Sequence, residues 1–249
     1  MCIRDRNALD TYINLHQNGG IRLDTYRVAA MDCCSQSSCR LTCSCPSGDE
    51  YNWCTCKGQH GLCNVIFGGS CSGNCNLFTF SQLSGYDLAI VLAHGPGGGS
   101  SSDLLLGGYI HALGNINQPV TPSAMSSISV KNSTWFSMAC GGGGIDRKAN
   151  TLDSFVMTFL KQEGAIFIGS TDNNYAVTCP SSGTCIGGLY TEILEKVNVG
   201  IRLGDAYIQG KKSYLQRPAG MTCGSYTGYL VHINCFYGDP TLKVISKGW

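Results

Sequence analysis

YDLAIVLAHG, residues 86–95, is the stretch that decides the fold. From Leu88 to Ala93 every residue is apolar, and Gly85 and Gly95 bound the run. The run is short and contains β-branched Ile90 and Val91. It predicts a strand buried on both faces, the kind that parallel sheets use. The strand ends in an ionisable residue, His94, followed by glycine. TWFSMACGGGG (134–144) has the same order: a core strand from about Thr134 to Ala139, then Cys140, then four glycines. AIFIGS (165–170) predicts a third core strand. Between the last two lies TLDSFVMTFLKQEG (151–164), a helix with Leu152, Phe155, Val156, Phe159 and Leu160 on its apolar face and Gly164 as its stop. Strand, loop and helix in alternation argue an α/β fold with a mostly parallel central sheet covered on both faces.

Outward from this centre, NALDTYINLHQNGG (7–20) predicts a helix. Leu9, Tyr12, Ile13 and His16 fall at helical spacing, and Gly19-Gly20 caps it. IRLDTYRVAAMD follows as a strand starting near Leu23. Residues 32–76 are rich in Cys, Ser, Gly and Asn, without periodicity, and predict a loop-dominated, crosslinked insertion. LLLGGYIHALGN predicts a short hairpin or a helix. GGLYTEILEKVNVGIRLGDAYIQGKKSYL predicts two helices broken near Gly200. HINCFYGDPTLKVI predicts a turn at Gly238-Asp239-Pro240 and a final strand, with Asp239 as turn former.

The 249 residues, 43 % of them hydrophobic, suffice for one sizeable domain. A net charge of +1 argues against nucleic acid or an anionic membrane as partner. No apolar run approaches the eighteen residues that a membrane span needs. Sixteen cysteines, ten of them between Cys33 and Cys75, point to an oxidising compartment, hence a secreted or cell-surface protein. The opening MCIRDRNALD has no apolar signal region. MCIRDR looks like a translated sequencing-adapter end. Residues 1–6 are therefore set aside, and the expectation is one N-terminally truncated domain over 7–249. Without Cys2 fifteen cysteines remain, an odd number that suggests an intermolecular bond or a reactive thiol. Without Cys140 as well, fourteen remain, enough for seven bridges.

Active sites of open parallel sheets lie beyond the carboxyl ends of the strands. His94 and Cys140 both stand there, and as neighbours they would form a nucleophile and a general acid/base. An attacked carbonyl develops an oxyanion, for which the amides of Gly95 and of Cys140 itself are the candidate donors. Gly141 to Gly144 would let the chain turn away and leave the cleft floor open. The competing reading of Cys140 is one half of a disulfide. His111 and His232 are read as structural, and His60, among cysteines, as a candidate metal ligand. GPGGGS (95–100) lacks the Lys-Ser/Thr ending of a phosphate loop. Asp103, Asp146, Asp153 and Asp172 are candidates for a pocket that takes a basic residue.

YDLAIVLAHG and TWFSMACGG resemble the two catalytic blocks of the caspase-like cysteine peptidases. FLKQEGAIFIGSTDNNY and CFYGDPTLKV narrow the likeness to the gingipain-like family, over roughly residues 77–249. The resemblance implies a three-layer caspase-like sandwich and a cysteine endopeptidase working through an acyl-enzyme. Cys140 would be the nucleophile, His94 the general acid/base and Gly95 an oxyanion donor. The loop holding Ser170, Thr171 and Tyr175 would wall the pocket for the residue before the scissile bond. The cysteine-rich block at 32–76 departs from the family pattern.

The expected partner is a protein or peptide substrate, with no nucleic acid and no membrane span. The chemistry requires no metal or organic cofactor, and no motif demands a structural calcium. Two other readings stand beside it. One is a cysteine-rich extracellular binding or adhesion module on an inactive peptidase-like scaffold. The other is a small zinc-dependent domain inserted in an α/β protein.

Overall fold

The computed structural model describes residues 6–30, 80–92, 104–105, 119–120, 122–137, 139–145, 154–172, 178–179, 183–218 and 224–248. The cysteine-rich block, His60, His111 and Leu152 lie outside them, as do Asp103, Asp146 and Asp153.

The chain is mixed α/β. Its elements are α1 (Arg6–Gln17), β1 (Ile21–Leu23), β2 (Tyr26–Ala30), β3 (Leu88–Leu92), β4 (Leu104–Leu105), β5 (Pro119–Val120), β6 (Thr134–Ser137), α2 (Phe155–Lys161), β7 (Ile166–Ser170), β8 (Thr178–Cys179), β9 (Gly183–Thr184), α3 (Cys185–Lys196), α4 (Leu203–Leu215), α5 (Thr227–Ile233), β10 (Asn234–Gly238) and β11 (Val244–Lys247). Five strands form the central sheet in the order β10-β7-β6-β3-β2. β2, β3, β6 and β7 are parallel, and β10 closes one edge antiparallel. The three core strands expected at 86–94, 134–139 and 165–170 thus lie side by side, with β6 in the middle.

Alternate residues of each strand face opposite ways, and both faces are buried. Leu88, Ile90, Phe136, Ile166 and Ile168 join α1, α3 and α4 in one cluster. Ala89, Val91, Trp135 and Phe167 join α2 and the short 3₁₀ helix Pro122–Ser127 in the other. The second cluster is largely aromatic: Trp135 lies 5.4 Å from Phe159 and Phe159 lies 5.6 Å from Phe167, centroid to centroid. Burying side chains of this size stabilises by roughly 1.5–3 kcal/mol each.

Several expectations shift in detail. The strand expected from Leu23 is two strands, because Asp24 and Thr25 turn out to bind Asp87. β1 leaves the central sheet and pairs parallel with β11. In α1 the buried face is Ala8, Thr11, Tyr12 and Leu15. Leu9 and Ile13 are instead 45 % exposed and line a groove with Pro240. Their spacing was helical, but a stripe one residue away meets the core.

α2 carries the expected face of Phe155, Val156, Phe159 and Leu160 and is capped by the Ser154 hydroxyl, which accepts from Met157 N at 3.3 Å. Its left-handed stop is Glu163 (φ 66°), one residue before the expected Gly164. Gly164 serves packing, since a Cβ there would fall 2.3 Å from the Phe159 ring. The two helices broken near Gly200 are α3 and α4. Of LLLGGYIHALGN only Leu104–Leu105 is described, and it pairs antiparallel with β5. Among the described residues no helix is long and apolar enough to cross a membrane.

Candidate active site

Parallel strands bring their carboxyl ends together, and here Leu92, Ser137 and Ser170 end three neighbouring strands. Leu88 pairs with Thr134 and Val91 with Ser137, an offset of 46 residues (134 − 88). The same 46 residues separate His94 from Cys140 in the sequence (140 − 94). His94 and Gly95 lie outside the described residues. Cys140 is described: it stands three residues beyond β6, half-buried, at the carboxyl edge of the middle strand.

The turn that carries Cys140 is built from short-range bonds. The Ser137 hydroxyl accepts from Ala139 N at 3.3 Å and starts the turn. Gly142 N donates to Ala139 O (3.2 Å) and Gly144 N to Gly141 O (2.9 Å). Gly141 is left-handed (φ 64°), a conformation that glycine adopts without cost. Two further amides tie the turn to the end of β7: Gly141 N to Asp172 O (2.9 Å) and Gly143 N to Ser170 O (2.7 Å). A Cβ at Gly143 would lie 2.8 Å from both the carbon and the oxygen of the Gly169 carbonyl.

The glycines therefore do not leave an open floor. Gly141 to Gly144 are buried, and Gly169 backbone fills the space beside Gly143. Their four amides all donate to carbonyls of the chain, so the oxyanion donors named from sequence, Gly95 and Cys140, gain no help from them.

The pocket-wall residues also have structural engagements. Ser170 is fully buried and its hydroxyl donates to Asp172 O at 2.8 Å. Thr171 sends both its amide (2.9 Å) and its hydroxyl (3.1 Å) to Ile233 O. Both hold the loop in shape; Ser170 offers no surface to a ligand. Tyr175 lies outside the described residues. Asp172 acts through its carbonyl, which receives Gly141 N and the Ser170 hydroxyl. His232 is exposed on α5. Asp239 is the turn former expected: its carboxylate accepts from Thr241 N (2.8 Å) and the Thr241 hydroxyl (2.6 Å). It also meets His16 Nε2 at 2.8 Å. Burial alone would raise its pKa, but the bonds from Thr241 and His16 outweigh burial and leave it below the ordinary carboxylate value.

Behind the turn lies a polar cluster that no motif announced. The Tyr190 hydroxyl, fully buried on α3, sits 2.6 Å from Ser137 O and 2.9 Å from Asn234 Oδ1, two acceptors for one proton. Asn234 donates to Leu230 O at 2.7 Å. Tyr207 donates to Asn234 O, which also receives Lys211 Nζ at 2.7 Å. Burial raises the pKa of Tyr190 and of Tyr207, and nearby Cys235 adds to the rise in both. Burial lowers Lys211, with Cys235 opposing. On the other side of the sheet, Tyr237 donates to Gly143 O at 2.5 Å. These partners lie 53 and 94 residues apart in the chain, so no local pattern reveals them.

Cys235 is a thiol in β10, which corrects the cysteine arithmetic: fourteen cysteines without Cys140 do not divide into seven bridges. Among the described residues no three His, Cys, Asp or Glu side chains converge on a metal-sized site. No family model matches the chain, and neither do the curated proteins or solved structures with which it was compared.

Proposed function

We propose that the chain is a secreted or cell-surface cysteine endopeptidase of the gingipain-like, caspase-like kind, with Cys140 as nucleophile and His94 as general acid/base. One observation carries this reading. β3 and β6 are parallel neighbours whose 46-residue register offset equals the His94–Cys140 separation, and each strand runs out two to three residues before its reactive residue. The cysteine is half-buried at the carboxyl edge of the central strand, where open α/β sheets put their chemistry. The three-layer caspase-like architecture belongs to the same proposal, supported by buried clusters on both faces of the sheet.

In the proposed reaction the Cys140 thiolate attacks the scissile carbonyl carbon. The carbonyl electron pair moves to oxygen, and amides of Gly95 and Cys140 stabilise the charge. The C–N bond then breaks, His94 donates a proton to the departing amine, and a thioester remains. Water, deprotonated by His94, attacks the thioester, releases the acid product and returns the thiol. No metal or organic cofactor enters these steps.

Labelling and turnover test the proposal together. Iodoacetamide labels Cys140, a peptidyl acyloxymethyl ketone protects it, and a positional scanning peptide library reports cleavage. Cys140→Ala abolishes turnover, and His94→Ala lowers kcat by about 10²–10⁴-fold. Cys140 found in a disulfide, or cleavage surviving Cys140→Ala, sinks the reading and leaves the adhesion-module alternative.

A further inference from the structure

We infer that Tyr190 and Tyr237 are positioning residues for Cys140, two buried phenols that clamp its turn from opposite faces of the sheet. What the clamp serves rests on the peptidase reading; the clamp itself is read from hydrogen bonds.

Tyr190 donates to Ser137 O, three residues before Cys140, and Tyr237 donates to Gly143 O, three residues after it. Tyr190 comes from α3 and belongs to the cluster with α1 and α4. Tyr237 comes from β10 and belongs to the cluster with α2. Each ring is anchored before its hydroxyl acts. Tyr190 stands edge-on to Phe136 at 5.2 Å and 77°, the residue next to the carbonyl it grips. Tyr237 is fixed by the β10–β7 ladder, where it pairs with Phe167.

The turn requires such anchors. Four consecutive glycines carry the least intrinsic conformational preference of any tetrapeptide, and ordering each residue costs about 1–2 kcal/mol. No side chain of its own holds Gly141–Gly144 in place. Its geometry is set from outside, by Ser170 O and Asp172 O accepting from two amides and by the two phenols donating to carbonyls on either side of the cysteine. A phenol suits this role because it donates one well-directed proton. Asn234 extends the Tyr190 side of the clamp to α5 through Leu230 O.

The experiment compares Tyr190→Phe, Tyr237→Phe and the control Tyr12→Phe in the full chain. Tyr12 is also buried, and its hydroxyl donates to Ala165 O at 3.1 Å, at the opposite end of β7. It removes the same kind of bond without touching the turn. Three readouts are taken: hydrogen exchange at the Gly141 and Gly143 amides, the pH profile of Cys140 alkylation by iodoacetamide, and kcat and KM on the best library peptide. In Tyr190→Phe and Tyr237→Phe, exchange accelerates at both amides and the alkylation profile moves to higher pH. kcat falls about tenfold with KM unchanged. Tyr12→Phe loses comparable thermal stability but keeps all three readouts.

Variants that keep wild-type exchange, or an active enzyme whose variants keep kcat and the alkylation profile, overturn the clamp and leave the peptidase reading intact. A wild type that neither cleaves peptides nor alkylates at Cys140 sinks the peptidase reading. In that case faster exchange in the two variants, absent in Tyr12→Phe, still upholds the clamp. Should Tyr190→Phe not fold, Tyr237→Phe carries the same test from the other face.

Discussion

The two ends of the central sheet are held by different sets of ties. At the amino end, beside the buried bond from Tyr12 to Ala165 O, the ties include carboxylates near solvent. Asp87 accepts from Asp24 N (3.0 Å), Thr25 N (2.9 Å) and the Thr25 hydroxyl (3.0 Å), joining β2 to β3. Glu163 pairs with Lys131 at 2.8 Å, and Asp239 with His16 at 2.8 Å. At the carboxyl end the described ties are mostly buried and neutral (two tyrosine hydroxyls, an asparagine and glycine amides), with Lys211 Nζ on Asn234 O beside them. Exposed ionic ties are weak, tolerant of change and screened by salt. Buried neutral ties are costly to break, because a carbonyl left without its donor has no water to turn to.

The sharpest way to break this contrast is Gly143→Ala. Its Cβ would lie 2.8 Å from Gly169 backbone, which has no flexible end to yield. The expected loss is about 3 kcal/mol, seen as a lower urea midpoint, together with faster exchange across 140–144. An unchanged midpoint would mean that the turn is looser than its hydrogen bonds imply.

Raising the pH probes the buried phenols, Tyr12 at the amino end as well as Tyr190 and Tyr207 at the carboxyl end. Tyr190 and Tyr207 have folded pKa values above the ordinary tyrosine value, so the folded state keeps protons that the unfolded chain releases. Stability is complete below about pH 10 and falls as the pH climbs beyond it. Tyr207→Phe makes that fall shallower, measured as urea midpoints between about pH 8 and 11. A slope that survives the substitution assigns the alkaline loss elsewhere.

At the amino end the effects shrink. Asp87→Ala costs about 1–2 kcal/mol by freeing three donors at a partly wet edge. It leaves Cys140 alkylation unchanged; a change in that rate would show the ends to be coupled.

Smallest is the Asp239–His16 tie. The Asp239 carboxyl has a depressed folded pKa, so its contribution is present above the ordinary value of about 4 and disappears as the pH falls through and below it. Asp239→Asn removes less than about 1 kcal/mol at neutral pH, and high salt erases most of the difference. A larger, salt-insensitive loss would place this end with the buried one.

Legibility followed the range of the interaction. The three core strands, α2 and the pair α3–α4 were readable because a buried run or a 3.6-residue stripe is a local pattern. The face of α1 was misassigned because Leu9 and Ile13 share the helical spacing of Ala8, Thr11, Tyr12 and Leu15; only the partner surface distinguishes them. The four glycines announced a turn but not its purpose. Their spacing fits an open floor and a packed one equally, and the backbone of Gly169 decides between them. Ser170 and Thr171 were named as wall residues, yet their hydroxyls bind Asp172 O and Ile233 O.

By itself the sequence determined that the chain is α/β, which runs form the central strands, and that Cys140 follows one of them. These follow from burial, which each residue type expresses where it stands. Only the tertiary structure decided that β6 lies between β3 and β7, that their register matches the spacing of His94 and Cys140, and that Tyr190 and Tyr237 grip the turn. Hydrogen bonds between residues 53 and 94 positions apart leave no periodic trace in the chain, because loop closure sets no spacing and a buried tyrosine looks the same whichever carbonyl it meets.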